Sequence, residues 1–305
     1  MSSNKQKVFH GENSISAEER LDWEKFEGNA QSFRICSRND NLDSMGYVRM
    51  TFASLGTLVK YPWPSNHQRA SGGKYNVFQS EVETFEIVWH ALGLTPLDGA
   101  VCRHPMSYLM EAADDICYGI IDIEDAVTLG ITPMQTAVEI LSEAANCMPT
   151  GMSLGELRGR AIGKQIESFW HAFMNSYDDI MIRNGPKDLK SVLSPTMQST
   201  HQKIKSNYNT IFSHRNKVAV ELGAYKVFGK IIKAICGSVH HLAETRNFDE
   251  ISYPEKRCLE LTWGENLARE NVDKPFIWWL RQSRDFVAGL TDNYARQLGR
   301  EIEGI

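Results

Sequence analysis

Apolar residues recur every three to four positions along almost all of this 305-residue chain, and clean alternation of apolar and polar residues is almost absent. This period is typical of α-helices with one buried face, whereas half-buried strands require alternation. The pattern therefore predicts an all-α fold. The predicted helices cover about 16–34, 80–92, 105–129, 133–147, 154–183, 196–213, 215–244, 254–264 and 276–300.

The stretch from Tyr61 to Phe78 breaks the helical period. It contains YPWP and two adjacent glycines, with few apolar positions. A loop longer than about 12–15 residues in a compact domain is often functional, so we expect this one to border a site. A second break, NGPK at Asn184–Lys187, suggests a boundary. The expected organisation is an unstructured segment 1–15, a main domain 16–185 and a helical region 186–305.

Charge and composition narrow the classes of function. The net charge is −5, from 33 basic and 38 acidic residues, so no overall basic field points to nucleic acid. The apolar stretches fall well short of the ~20 residues that span a bilayer, and the first residues have no apolar signal core. The six cysteines are scattered without a CxxC pair. These features predict no membrane association and a cytoplasmic location.

The segment from His104 to Ala126 contains a cluster of acidic residues that is the most informative feature of the chain for chemistry. On a helical wheel, five polar side chains share an arc of about 80°. They are Glu111, Asp114, Tyr118, Asp122 and Asp125. The opposite arc is apolar and contains Leu109, Ala113, Ile116, Cys117, Ile120 and Val127. The polar arc could simply be a solvated face. However, it lacks the Lys and Arg that usually balance such a face, which favours a cation or donor-rich ligand.

Five blocks in this chain resemble the dGTP triphosphohydrolase family of the HD-domain superfamily, in the family's order. They are FEGNAQSFRI (Phe26–Ile35), LVKYPW (Leu58–Trp63), FQSE (Phe78–Glu81), EAADDICY (Glu111–Tyr118) and DFVAGLTDNYA (Asp285–Ala295). The resemblance covers the C-terminal two-thirds of that family, including its phosphohydrolase-associated C-terminal region. It implies a multi-helix HD-type scaffold and the reaction of dGTP with water to deoxyguanosine and triphosphate.

The resemblance also implies residue roles. In the family, a divalent metal (Mg²⁺, Mn²⁺ or Co²⁺) is held by an H…HD…D set whose last Asp matches Asp114, with Asp115 as the competing candidate. Tyr118 would pack on the deoxyribose, and Asp122 would contact its 3′-hydroxyl. The lysine of the KYPW loop, Lys60, would bind the triphosphate.

Further residues have more than one interpretation. Lys74 could bind the triphosphate beside Lys60 or be an ordinary surface lysine. Asn29, Arg34 and Tyr61 could line the pocket or brace the fold. The basic tract HRNKVAVELGAYKVFGKIIKAI (His214–Ile235) could be a solvated face, a homo-oligomer contact or, as the resemblance suggests, a site for a single-stranded DNA effector.

The chain departs from the family in one respect. Only 25 residues precede FEGNAQ, and none of the nine histidines is followed by Asp. We therefore expect the HD-motif helices to be missing, metal binding by this chain alone to be weak, and hydrolysis to be negligible. The alternative hypothesis is a non-catalytic helical interaction protein that assembles with itself or with a full-length homologue.

Overall fold

A computed structural model of the protein describes residues 15–38, 50–95 and 102–304. Within these ranges there is no β-strand, only an isolated bridge between Pro64 and Val77. The prediction of an all-α fold is confirmed. The α-helices in chain order are α1 (Ala17–Glu24), α2 (Gly28–Ser37), α3 (Phe52–Thr57), α4 (Val82–Ala91), α5 (Pro105–Thr128), α6 (Met134–Ala145), α7 (Leu154–Asn175), α8 (Tyr177–Met181), α9 (Pro195–Ser213), α10 (Arg215–Thr245), α11 (Tyr253–Trp263), α12 (Glu265–Glu270), α13 (Phe276–Ala288) and α14 (Asp292–Glu303).

Several helix boundaries differ from the prediction. The helix predicted over 16–34 is two helices, because Glu27 has extended backbone and caps α2 through its carboxylate. The helix predicted over 154–183 is interrupted at Ser176, and the one predicted over 276–300 is interrupted before Thr291, which caps α14. The apolar periodicity of the sequence continues across each of these breaks, so only the capping residues indicate where one helix ends and the next begins. The short helices α3 and α12 were not predicted.

The chain forms two compact units, one of them Lys25–Val218. Its core lies where α5 packs against α6, α7 and α9. Fully or almost fully buried members of this core are Ile120, Ile123, Ala137, Leu141, Ala144, Leu157, Ala161, Phe169 and Leu189. The central position of α5 means that its side chains face several neighbouring helices, and this helix contains the predicted metal ligand Asp114 and the predicted sugar contacts Tyr118 and Asp122.

Local chemistry explains where α5 begins and ends. His104 caps its first turn by accepting a hydrogen bond from the backbone N–H of Met106 at 3.3 Å, and Pro105 occupies the first position. A proline is favoured there because its missing N–H would be unpaired in any case. Gly130 follows the last turn with φ of 69°, the left-handed conformation that glycine adopts without strain.

The predicted loop Tyr61–Phe78 is largely non-helical but firmly packed. It contains a single 3₁₀ segment, Gln68–Gly72. Tyr75, Val77 and Phe78 are fully buried beneath it. The loop therefore has its own small core, and its exposed side chains are held on a rigid support.

The second unit contains residues 219–304 together with residues 15–24. Its core is aromatic, centred on the fully buried Trp279, with Trp263 at 5.5 Å and Trp278 at 4.8 Å between ring centroids. Arg281 forms an ion pair with Glu19, which ties α1 to α13. Across the described ranges, no helix is both long enough and apolar enough to span a bilayer.

Candidate functional site

The KYPW loop is held in place by one buried amide. The side-chain oxygen of Asn76 accepts a hydrogen bond from the backbone N–H of Tyr61 at 2.7 Å. Its side-chain nitrogen donates to the carbonyl oxygens of Asn29 at 3.1 Å and Leu58 at 3.4 Å. Asn76 is fully buried, so it connects the FEGNAQ helix to the loop that bears Lys60. Asn76 was not identified from the sequence, since no motif marks it.

Glu111, in the second turn of α5, lies at the centre of a charge cluster. Its carboxylate accepts hydrogen bonds from the ammonium of Lys60 and the guanidinium of Arg103, each at 2.8 Å. Its side chain is only 9% exposed. Burial raises the pKa of Glu111, but the bonds from Lys60 and Arg103 outweigh it and hold the pKa below its usual range. Lys60 thus reaches α5.

Arg103 is the most highly connected side chain of this cluster. Besides Glu111, it donates to the hydroxyl of Ser107 at 3.2 Å and to the carbonyl of Lys187 at 3.2 Å. Its guanidinium carbon lies 4.3 Å from the ring centroid of Tyr108, a cation–π contact. These contacts fix the planar fork in one orientation. Arg103 was not predicted as a site residue, because a single arginine before a helix has no distinguishing pattern.

A cleft of about 450 Å³ opens beside this cluster, between the start of α5, the KYPW loop and the segment that follows α8. Among the residues that the structure describes, five basic and two acidic side chains line it. They are Lys60, Arg69, Arg103, Arg183, Lys187, Glu111 and Asp188. Such an excess of positive charge in a concave surface attracts anionic ligands.

The middle of α5 differs from its start. Asp114 is exposed, Tyr118 is 63% exposed, and Asp122 is half-buried on the same helix. Neither Asp114 nor Tyr118 has a hydrogen-bond or ion-pair partner within the described ranges. The competing candidate Asp115 forms an ion pair with Lys190 at 2.9 Å. Asp114, Tyr118 and Asp122 lie on one side of α5. Their roles in binding a metal and the sugar stay predictions.

The helical wheel predicted for α5 is wrong at Glu111, Ala113 and Cys117. Glu111, assigned to the polar arc, is buried, whereas Ala113 and Cys117, assigned to the apolar arc, are exposed. The buried face instead includes Ala112 and Ile123. A helical wheel assigns every charged residue to the solvent-exposed face. Glu111 can nevertheless be buried, because two cations pair with its carboxylate inside the fold.

Helix α9 places two further polar side chains beside the middle of α5. A Cβ on Gly119 would lie 3.9 Å from the hydroxyl of Tyr208, so this tyrosine packs directly on α5. Burial raises the pKa of Tyr208, and the charges of Asp122 and Asp115 raise it further. Burial lowers the pKa of His201. Neither residue was singled out from the sequence, because α9 contains no family block.

The other predicted pocket residues are engaged in the fold. Lys74 is paired with Glu27 at 2.8 Å, and the side-chain amide of Asn29 donates to the same carboxylate at 3.1 Å. Arg34 is buried in an ion pair with Glu81. These contacts suit the bracing interpretation for Asn29 and Arg34.

Tyr61 is half-buried, with its ring centroid 5.7 Å from that of Trp63 and 5.5 Å from the ammonium of Lys60. It lines the cleft together with Lys60. Within the basic tract, Lys230 is paired with Glu303, and the ammonium of Lys217 lies 5.6 Å from the ring centroid of Phe212. An oligomer or DNA contact by this tract stays a prediction.

The side chains around Asp114 do not fit a bound metal. Over residues 15–38, 50–95 and 102–304, no three His, Cys, Asp or Glu side chains lie close enough together to hold one. A single carboxylate is too few ligands for a stable divalent site. No step that depends on a metal is therefore assigned to the described residues.

Fold and site together define an all-α protein whose central helix has a cationic cleft at its start and an acidic line along its middle. No family model matches the chain. It is 33% identical over 309 residues to a deoxyguanosinetriphosphate triphosphohydrolase-like protein of Pseudomonas aeruginosa, an alignment that covers 95% of this chain and 68% of that protein. The chain belongs to the deoxyguanosinetriphosphate triphosphohydrolase-like family.

More distant relatives agree. A protein of the same description from Synechocystis sp. is 28% identical over 314 residues, covering 95% of this chain and 68% of the relative. A deoxyguanosinetriphosphate triphosphohydrolase from Enterobacter sp. is 24% identical over 335 residues, covering 93% and 64%. The family resemblance noted from five short blocks is thus confirmed across nearly the whole chain.

Proposed function

We propose that this chain binds a deoxynucleoside triphosphate, dGTP by analogy with the names of its relatives, along helix α5. The observation that supports this most directly is the cationic cleft, which lies next to Glu111, one turn before Asp114. An α-helix rises about 1.5 Å per residue, so Asp114, Tyr118 and Asp122 follow at intervals of about 6 Å. A nucleotide laid along the helix would meet phosphate donors first and sugar contacts afterwards.

The roles follow from the chemistry of each side chain. The Lys60 ammonium stays charged, since burial lowers its pKa but the hydrogen bond to Glu111 and the negative charges nearby together raise it more. It would contact the triphosphate, with Lys74 as a more distant cation. The exposed ring of Tyr118 offers an apolar face to the deoxyribose, and Asp122 can accept a hydrogen bond from the 3′-hydroxyl.

The reaction of the relatives, hydrolysis to deoxyguanosine and triphosphate, would in this family use a divalent metal to polarise a phosphate and activate water. Asp114 alone would hold that metal poorly. We therefore propose binding without turnover by the 305-residue chain alone. A non-catalytic interaction role is the second candidate. It is favoured by Asp114 and Tyr118, which are exposed and have no partner among the described residues, and by the exposed Ile121 on α5.

Calorimetry of dGTP binding, without divalent metal, tests the proposed site. Tyr118→Ala and Asp122→Ala should each weaken binding about tenfold, which corresponds to ~1.4 kcal/mol. Tyr225→Ala on α10 is the matched control, because this tyrosine is 85% exposed and distant in sequence from the site. Unchanged affinity in both α5 variants would exclude the proposed placement of the sugar.

Turnover is tested separately with Mg²⁺, Mn²⁺ and Co²⁺. The chain alone should release no triphosphate above a control containing metal only. Joining to it the part of the Pseudomonas aeruginosa relative that the alignment leaves uncovered should restore hydrolysis, and Asp114→Ala should abolish it again. Robust hydrolysis by the unmodified chain would show that the metal is held elsewhere.

A further inference from the structure

The first half of helix α10 lacks a buried face in the described part of the chain. Not one side chain of residues 219–230 is buried there, and the first buried residue of the helix is Ile231. A helix in water gains most of its stability by packing an apolar face against a neighbour. We propose that this part of α10 pairs in parallel with α10 of a second copy of this chain. The pairing requires neither the cleft nor the nucleotide contacts of α5.

Apolar residues form a narrow seam along this exposed stretch. They follow one another at the alternating spacing of three and four residues that defines the a and d positions of a heptad repeat. The members of the seam are Leu222, Tyr225, Gly229 and Ile232. Leu222 is 57% exposed, Tyr225 85% and Ile232 45%. A seam with this spacing becomes buried when a second helix packs along it.

The opposite side of the same stretch is partly covered by α14. Val227 lies about 150° around the helix from the seam. It contacts α14, where a Cβ on Gly299 would lie 3.1 Å from Cγ1 of Val227. Lys230 forms an ion pair with Glu303, also on α14. Helix α14 therefore takes the side of α10 away from the seam, which the described residues leave open.

The charged residues beside the seam indicate both the partner and its orientation. Glu221 and Lys226 stand five residues apart, at a g position and the next e position of the repeat. Both are exposed and form no ion pair within the described ranges. In a parallel pair, Glu221 of each copy lies beside Lys226 of the other, which gives two ion pairs. An antiparallel pair would set g beside g and e beside e, and would lack both.

The length of the seam sets the expected strength of the pairing. From Leu222 to Ile232 it runs about 15 Å, at ~1.5 Å per residue. Gly229 contributes no side chain to it. An interface of this size belongs with weak, transient ones. We therefore expect a dimer with a dissociation constant on the order of 100 μM, which dissociates on dilution.

Sedimentation equilibrium of the intact chain over a range of concentrations tests the pairing. Leu222→Glu should weaken dimerisation at least about tenfold, because it places two carboxylates in the seam. Glu221→Lys and Lys226→Glu should each weaken it about fivefold, since each sets like charges side by side twice. Mixing these two charge variants in equal amounts should restore association, because each supplies the charge that the other lacks. Absence of recovery in the mixture would overturn parallel self-pairing.

Gly229 allows a test by gain of association. A Cβ there would meet no neighbouring atom of the described structure within 4 Å, and the same holds at Gly237 on the same helix. Gly229→Leu adds an apolar side chain to the seam and should strengthen dimerisation about tenfold. Gly237→Leu is the matched control, because its position lies outside the seam, and it should leave association unchanged.

Three results would overturn the proposal. The first is an equal effect of Gly229→Leu and Gly237→Leu on association. The second is a wild-type chain that stays monomeric at roughly 1 mM. The third is a chain that binds the Pseudomonas aeruginosa relative through Leu222 but not a second copy of itself, which would make a homologue the occupant of the seam.

Discussion

The carboxylates in the two halves of helix α5 lie in opposite environments. At its start, Glu111 is buried and shared by two cations, each with further contacts of its own. A turn later, Asp114 is exposed and has no partner in the described part of the chain, and Tyr118 beyond it is also exposed. A site that must hold a ligand needs its contacts ordered by neighbouring groups. The start of α5 meets this condition, whereas its middle would depend on groups supplied by a ligand or partner.

This difference has an energetic side. A buried charge costs several kcal/mol of desolvation unless paired, so Glu111 can occupy its position only while Lys60 and Arg103 remain in place. An exposed carboxylate such as Asp114 pays no such cost and adds little to stability. Four pairs of measurements contrast the two halves.

Cysteine reactivity gives the largest expected contrast. Cys117 lies exposed on the Asp114 side of α5, whereas Cys102, just before the helix, is 3% exposed. Reagent can reach Cys102 only after local opening, which costs several kcal/mol, so its alkylation should be slower by at least about a hundredfold. Peptide mapping by mass spectrometry after timed exposure to iodoacetamide measures both rates. Comparable rates would mean that the two halves are equally open.

Alanine substitutions should separate the halves by stability. Glu111→Ala leaves Lys60 and Arg103 without their shared carboxylate and should lower the free energy of unfolding by about 3 kcal/mol. Asp114→Ala, on the same helix, should change it by less than about 0.5 kcal/mol. Urea denaturation followed by circular dichroism compares them directly. An Asp114 effect as large as that of Glu111 would reveal a structural role for the exposed carboxylate.

Two glycines test the packing around each half. A Cβ on Gly185, at the cleft, would lie 2.8 Å from Cγ1 of Ile180 and 3.1 Å from the hydroxyl of Tyr108. Gly185→Ala should therefore cost about 1–3 kcal/mol. A Cβ on Gly119 meets its first neighbour, Ile204, at an ordinary 3.5 Å, so Gly119→Ala should add up to about 1 kcal/mol through helix propensity. In thermal melts, the melting temperature should fall in Gly185→Ala and rise in Gly119→Ala.

Much of the fold could be predicted from the sequence because apolar periodicity is a local property. Helix α5 was predicted over about 105–129 and is observed over Pro105–Thr128. The errors lie where periodicity continued across a cap, as at Glu27 and Ser176. Capping is set by the backbone conformation of one residue, which an apolar pattern does not register.

The candidate site could be predicted less well from the sequence. Lys60 was singled out with its loop, and the structure brings it to α5 through Glu111. Arg183 and Lys187 were not found, since they reach the cleft from a segment that is distant in sequence from α5. Arg103 and Asn76 were missed because no motif or pattern marks them. Local patterns report which face of a helix is polar, but not which distant cation will neutralise it.

The smallest expected effect is on the pH dependence of stability, where the two halves should differ in sign. Burial raises the pKa of Glu111, but its bonds to Lys60 and Arg103 lower the pKa below the ordinary value of 4.5. Its stabilising contribution is therefore complete above that value and is lost as the pH falls through the lowered pKa. Glu111→Gln should destabilise the protein at neutral pH, and the deficit should shrink in acid.

Asp122 should behave oppositely. Burial raises its pKa above the ordinary 3.8, Lys217 opposes this, and Asp125 adds to it. The folded state thus binds the proton more tightly than the unfolded chain, a contribution that is complete below 3.8 and lost as the pH rises through the raised pKa. Asp122→Asn should slightly stabilise the protein at neutral pH, and the gain should vanish in acid. Melting temperatures of wild type and both variants from pH 3 to pH 7 measure this, and same-signed differences at neutral pH would contradict the contrast between the halves.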